Sequence, residues 1–147
     1  MDEPLALADW LGPLLGRAHE AHRAITVEAL ASLGLSPKGF GALTILAGEG
    51  PLSQQRLAQR QGIDRTTMVA VVDELERAGA VERHRDASDR RAYALQLTRK
   101  GRRLVARAAA AAAEGEQRFL APLAEEDRRR LKAALRQLLE QRQPSGG

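Results

Sequence analysis

Residues 89–101 read Asp89-Arg90-Arg91-Ala92-Tyr93-Ala94-Leu95-Gln96-Leu97-Thr98-Arg99-Lys100-Gly101. Tyr93, Leu95 and Leu97 alternate with small or polar residues, the period of a strand with one buried face. Thr98 stands where a hydroxyl can accept the free N–H groups that open a helix, so the strand should end there and a helix begin. Just upstream, Val81 to Arg85 reads as a second strand and Asp86-Ala87-Ser88-Asp89 as a turn-rich tip. The stretch is therefore a hairpin set between helices.

Upstream of the hairpin, Ser53 can cap a short helix, Gln54 to Gln61, which Gly62 ends. Asp64 can cap the next, from Arg65 to about Ala78, with Ile63, Met68, Val71, Val72 and Leu75 apolar. Two short capped helices joined through a glycine make a helix-turn-helix, and a hairpin directly after its second helix is a wing. Further out, Ser36-Pro37 opens a helix to about Ala47, followed by the turn cluster Gly48-Glu49-Gly50-Pro51. An apolar pattern at helical spacing runs from about Leu5 to Leu33, with Gly34 as its stop, and the helix kinks or properly starts at Gly12-Pro13. Downstream, a helix should run from Thr98 through Ala108 to Ala113 to about Leu120. Pro122 breaks it, and a last amphipathic helix carries Leu131, Ala134, Leu135, Leu138 and Leu139. The tail, residues 143–147, has a disorder-prone composition.

The 147 residues fit one domain built from two cooperating parts, with 44% hydrophobic residues for a core and 29% charged residues for the surface. The absence of cysteine excludes disulfides, thiolate metal sites and thiol switches. No apolar run approaches the roughly 20 residues that cross a bilayer, and the acidic start is unlike a secretory signal, so a cytoplasmic protein without membrane contact is expected. No nucleophile triad, phosphate loop or dinucleotide fingerprint is present, and Glu125-Glu126-Asp127 suits a helix N-terminus, so no enzyme is expected. Only Lys38, Lys100 and Lys132 are lysine, so arginine makes up the rest of the 23 basic residues. A GC-rich genome accounts for much of that ratio, and the position of the charge says more than its amount. Between Ser53 and Arg103 lie twelve basic and seven acidic residues, an excess larger than the +4 of the whole chain. That is where a polyanion would be gripped.

The quoted stretch fits the pattern D-x-R-x-x-x-L-x-L-T-x-x-G at every fixed position and resembles the wing signature of the MarR family of bacterial transcription regulators. Ile63-Asp64-Arg65-Thr66-Thr67 and Val72-Asp73-Glu74-Leu75-Glu76-Arg77-Ala78-Gly79 are similar to that family's recognition helix. The resemblance implies a mainly α winged helix-turn-helix, a homodimer joined by helices near both termini, and repression from a pseudo-palindromic operator. It divides the chain into a dimerisation region, 1–34 and 104–147, and a DNA-binding region, 35–103. Arg91 would enter the minor groove, oriented by Asp89, with Arg90, Arg83 or Arg85 on phosphates. Arg65, Thr66, Thr67 and Val69 would face base edges, and Ser53, Gln54 and Gln55 the DNA backbone.

The resemblance also implies release by a small, commonly aromatic or phenolic effector, for which Trp10, His19, His22 and Phe40 are the candidates. His19 and His22, three apart on a helix, raise a metal-responsive repressor as one alternative, although zinc usually needs more donors; no metal or cofactor is expected. A winged domain that binds only proteins is the other alternative.

Overall fold

The structure, a computed structural model, describes residues 6–86, 88 and 93–140. Four of its helices start where a side chain closes the first turn. Ser36 Oγ accepts from Gly39 N–H at 2.9 Å, Ser53 Oγ from Arg56 at 3.2 Å, Asp64 Oδ1 from Thr67 at 2.7 Å and Thr98 Oγ1 from Gly101 at 3.0 Å. Each bond satisfies one of the four N–H groups that a helix leaves free at its start. The resulting elements are α1 (Leu11–Ala31), α2 (Pro37–Glu49), β1 (Leu52–Ser53), α3 (Gln54–Gln61), α4 (Arg65–Arg77), β2 (Val81–Arg85), β3 (Tyr93–Leu97), α5 (Arg99–Leu120) and α6 (Glu125–Glu140).

Pro13 produces no kink: α1 starts at Leu11 after a 3₁₀ turn, Leu7–Asp9, which places the proline in the first helical turn, where its missing N–H costs nothing. Gly62 takes a left-handed φ of 70° and turns the chain from α3 into α4. β1 was not anticipated. It makes the hairpin the larger part of an antiparallel sheet of order β1-β3-β2, with Leu52 opposite Leu95, Val81 opposite Leu97 and Arg85 opposite Tyr93. Leu95 and Leu97 are buried as their alternation requires, but Tyr93, at the tip end of the strand, reaches past the core and is 52% exposed. Asp89, Arg90, Arg91 and the 143–147 tail lie outside the described residues.

One core joins Leu30 of α1, Leu43 and Leu46 of α2, Leu57 of α3, Met68, Val72 and Leu75 of α4, Leu95 of β3 and Ala108 of α5. No polar or charged side chain is buried among the described residues. α6 buries none of its residues. Leu131, Leu138 and Leu139 on α6 stand exposed, as do Leu11, Leu14 and Leu15 on α1 and Trp10 just before it.

The tightest contact is where α4 hands over to β2. Ala80 N–H bonds Leu75 O at 2.9 Å, and Ala80 O accepts from Thr98 N–H at 3.0 Å. Gly101 lies so close that a Cβ there would sit 2.0 Å from Ala80 O. The neighbour is backbone held on both sides, so it cannot yield. Gly101→Ala should therefore destabilise the fold by about 3 kcal/mol or more, the upper range of overpacking. Gly48→Ala, in a helical position with open space around it, should be neutral or stabilising by up to about 1 kcal/mol. Urea denaturation of both variants would check the contrast, and equal midpoints would contradict it.

Candidate nucleic-acid interface

α3 and α4 meet in an open cleft of about 670 Å³ lined by Gln54, Gln55, Gln59, Ile63, Arg65 and Met68 among others. The sequence alone did not single out Gln59. Arg65 and Thr66 are exposed in the first turn of α4, and Val69 is 44% exposed one turn on. An exposed valine on a helix has little reason to be there for solubility, and its methyl groups suit the methyl of thymine. Met68, Val71, Val72 and Leu75 point the other way and anchor the helix in the core.

Thr67 is placed differently from its neighbours. Its hydroxyl donates to Asp64 Oδ2 at 2.9 Å while its N–H bonds Asp64 Oδ1. It lines a second cleft, between α1, α2 and α4, with Arg23, Ser36, Lys38 and Glu74. Thr67 thus holds the start of α4 in shape, and its side chain is turned away from the α3–α4 cleft. The two bonds from Thr67, the backbone one first, hold the Asp64 carboxyl below its ordinary value of 3.8.

Ser53 uses its hydroxyl to cap α3, Gln54 is half-buried, and Gln55 is exposed beside it. Arg83 lies at the base of the wing with its guanidinium on Glu76 and Gln54. Arg85 lies on the same strand nearer the tip, and its side chain has no ion pair or hydrogen bond among the described residues. Arg56 and Arg65 are likewise unpaired among those residues, whereas Arg60 pairs with Glu49 at 3.2 Å. Unpaired cations beside helix N-termini are what a chain of phosphates would neutralise.

The four ligand candidates are not brought together. Trp10 and His19 are exposed, the His22 ring packs edge-on against Phe119 at 5.3 Å, and Phe40 packs against the core from α2. None of them lines the clefts at α3–α4, α5–α6 or α1–α2–α4. The described residues contain no group of three or more His, Asp or Glu arranged to hold a metal ion, and no described helix is long and apolar enough to cross a membrane.

The profile described as the MarR family matches residues 33–92. An HTH-type transcriptional repressor of Mycobacterium tuberculosis is 35% identical over 128 residues, 87% of this chain and 92% of its own. The solved structure of that protein, in complex with p-aminosalicylic acid, superposes with a TM-score of 0.74 at 34% identity and covers 88% of this chain and 98% of its own. A putative regulatory protein for an operon of Thauera aromatica is 35% identical over 74% of this chain, which spans 65% of that protein's length. The repressor CouR, solved on a 23-mer DNA duplex, has a TM-score of 0.85 at 33% identity and covers 93% of this chain and 99% of its own.

Because the folded state lowers the Asp64 pKa, that carboxylate stabilises the fold at pH values above 3.8, and its contribution is lost as pH falls through the lowered folded value. Asp64→Asn keeps a cap but removes the titration. The difference in urea midpoint between wild type and Asp64→Asn should be constant from about pH 7 to about pH 5 and shift against wild type below about pH 4. A difference that stays flat to about pH 2 would contradict the assignment.

Proposed function

The chain belongs to the MarR family, and from that premise we propose that it is a sequence-specific regulator of transcription, most simply a repressor, that binds a pseudo-palindromic duplex as a homodimer. The observation that carries this reading is the start of α4, which offers an unpaired Arg65 and Thr66 in its first turn and the exposed Val69 one turn on, beside the N-terminus of α3. That is the arrangement of a recognition helix whose leading residues meet base edges. Likeness to CouR, which is solved on duplex DNA, supports it. In the proposal Gln54, Gln55 and Gln59 meet the DNA from α3, and Arg85, Arg90 and Arg91 meet it from the wing. Such a regulator works by occupying DNA, with no catalytic step, and acts in the cytoplasm.

Dimerisation is supported by α6. Its sequence is amphipathic, yet none of its residues is fully buried within its own chain, and Leu131, Leu138 and Leu139 stand exposed, as do Leu11, Leu14 and Leu15 of α1. A second copy related by a two-fold axis would cover both faces and set two recognition helices about 34 Å apart, one turn of DNA. Residues 1–34 and 104–147 then serve dimerisation and 35–103 serve DNA. The division is one of tasks, since Leu30 and Ala108 share the core of the DNA-binding part.

The effector in this proposal is a small aromatic acid, the class of p-aminosalicylic acid in the mycobacterial relative. Arg23 and Lys38, at the α1–α2–α4 cleft, offer counter-charges for its carboxylate; Trp10 and His19 are exposed but do not line that cleft. A ligand that favours a spacing of the recognition helices unlike that of the half-sites would release the DNA.

Anisotropy titration of the protein against the DNA upstream of its own gene tests the reading. Binding should exceed that to unrelated duplex and weaken steeply with salt. Arg65→Ala should lose about 1–3 kcal/mol at one base pair per half-site and little elsewhere. Binding no tighter than to unrelated DNA, with little salt dependence, would favour a protein-interaction domain instead. By light scattering the wild type should be a dimer, and Leu138→Asp with Leu139→Asp a folded monomer with greatly weakened operator binding.

A further inference from the structure

Arg83 is bonded to two elements that its own strand does not pair with. Its Nε donates to Glu76 Oε1 near the end of α4, and its Nη2 donates to Gln54 Oε1 at the start of α3, both at 3.1 Å. Strand alternation explains the direction, because Arg83 shares a face of β2 with the buried Val81. Arg85 lies on that same face of the strand but bonds neither of these partners.

Two consequences follow from the chemistry of the guanidinium. It has only donors, so the Gln54 carboxamide can face it only with its oxygen. The two N–H donors of that amide are thereby turned away from Arg83, ready for acceptors such as phosphate oxygens. Moreover, the charge of Arg83 is already matched by Glu76, so the pair as a whole would displace few counterions from DNA.

We infer that Arg83 is a positioning residue: it ties the wing strand to both helices of the helix-turn-helix and fixes the Gln54 amide with its donors outward. The inference rests on the DNA-binding reading for its purpose, but not for its geometry. It separates Arg83 from Arg85, which keeps the role of a phosphate contact.

Glu76→Ala, which removes the acceptor as well as the charge, gives the discriminating sign. Removing an acid beside DNA should tighten binding on electrostatics alone, whereas loss of the tie should weaken it by about two- to fivefold, the range of an exposed ion pair. The double variant Arg83→Gln with Glu76→Gln is neutral for neutral. It should bind more weakly than wild type with an unchanged slope of log K against log salt. A phosphate contact would lower that slope by about 0.9. Tighter binding by Glu76→Ala, or a lowered slope in the double variant, would overturn the inference.

Hydrogen exchange on the free protein tests the tie without DNA. Amides of β2 and β3 should exchange about threefold faster in Glu76→Ala while those of α2 do not change. Unchanged exchange would overturn the tie. Failure of the wild type to bind any duplex is a different result, which would overturn the DNA reading and with it the assigned purpose of the Gln54 donors.

Discussion

The Ala80 carbonyl is the point on which the architecture turns. It accepts from Thr98 and lies against the backbone of Gly101, while the Thr98 hydroxyl donates to Gly79 O at 2.6 Å. Four elements meet there: the end of α4, the start of β2, the end of β3 and the start of α5. With both roots of the hairpin fixed to the end of α4, the direction of the wing follows from that of the helix before it. The direction of α5 follows as well, and α5 lies along α1 closely enough that a Cβ on Gly115 would meet Ile25 Cγ2 at 3.0 Å. A close backbone approach of this kind admits two stable arrangements less readily than a layer of flexible side chains does. The helix-turn-helix, the wing strands and the long helices are therefore held in one frame.

The surface chemistry follows from what the core excludes. With no charged side chain buried among the described residues, ions are left at the surface, where pairs such as Arg60 with Glu49 add little stability. The polar groups that fix geometry are caps and clasps instead. Ser36 illustrates this: it caps α2 and also bonds Glu74 of α4 through both its N–H and its hydroxyl, at 2.9 and 2.8 Å. Such bonds orient helices without consuming the arginines that face outward.

What could be read from the sequence was governed by range. Ser36, Ser53, Asp64 and Thr98 each bond an N–H three residues on, so the start of each helix could be stated from its own few residues. Leu95 and Leu97 were legible because a period of two is local. β1 was not, because two residues carry no period and Leu52 becomes a strand only by meeting Leu95, 43 positions away. The same limit applied to Arg83, whose partners are 7 and 29 residues distant. Thr67 is a subtler case: its sequence position fits base contact, while its hydroxyl donates to the Asp64 carboxylate that caps α4, a bond its own position did not announce. The aromatic and imidazole candidates shared a chemistry, and nothing in their spacing placed them on one wall.

α6 has a consequence for how the protein behaves as its amount changes. A helix of 16 residues with none fully buried, held to α5 by surface bonds such as Lys132 to Glu116 and Arg128 to Gln117, has little to hold it when the chain is alone. If a second copy supplies the missing contacts, the order of α6 becomes a matter of mass action and depends on how many chains are present. Dilution then does more than lower occupancy of a site. It returns leucine-rich surface to water, and a scarce regulator is also a less durable one.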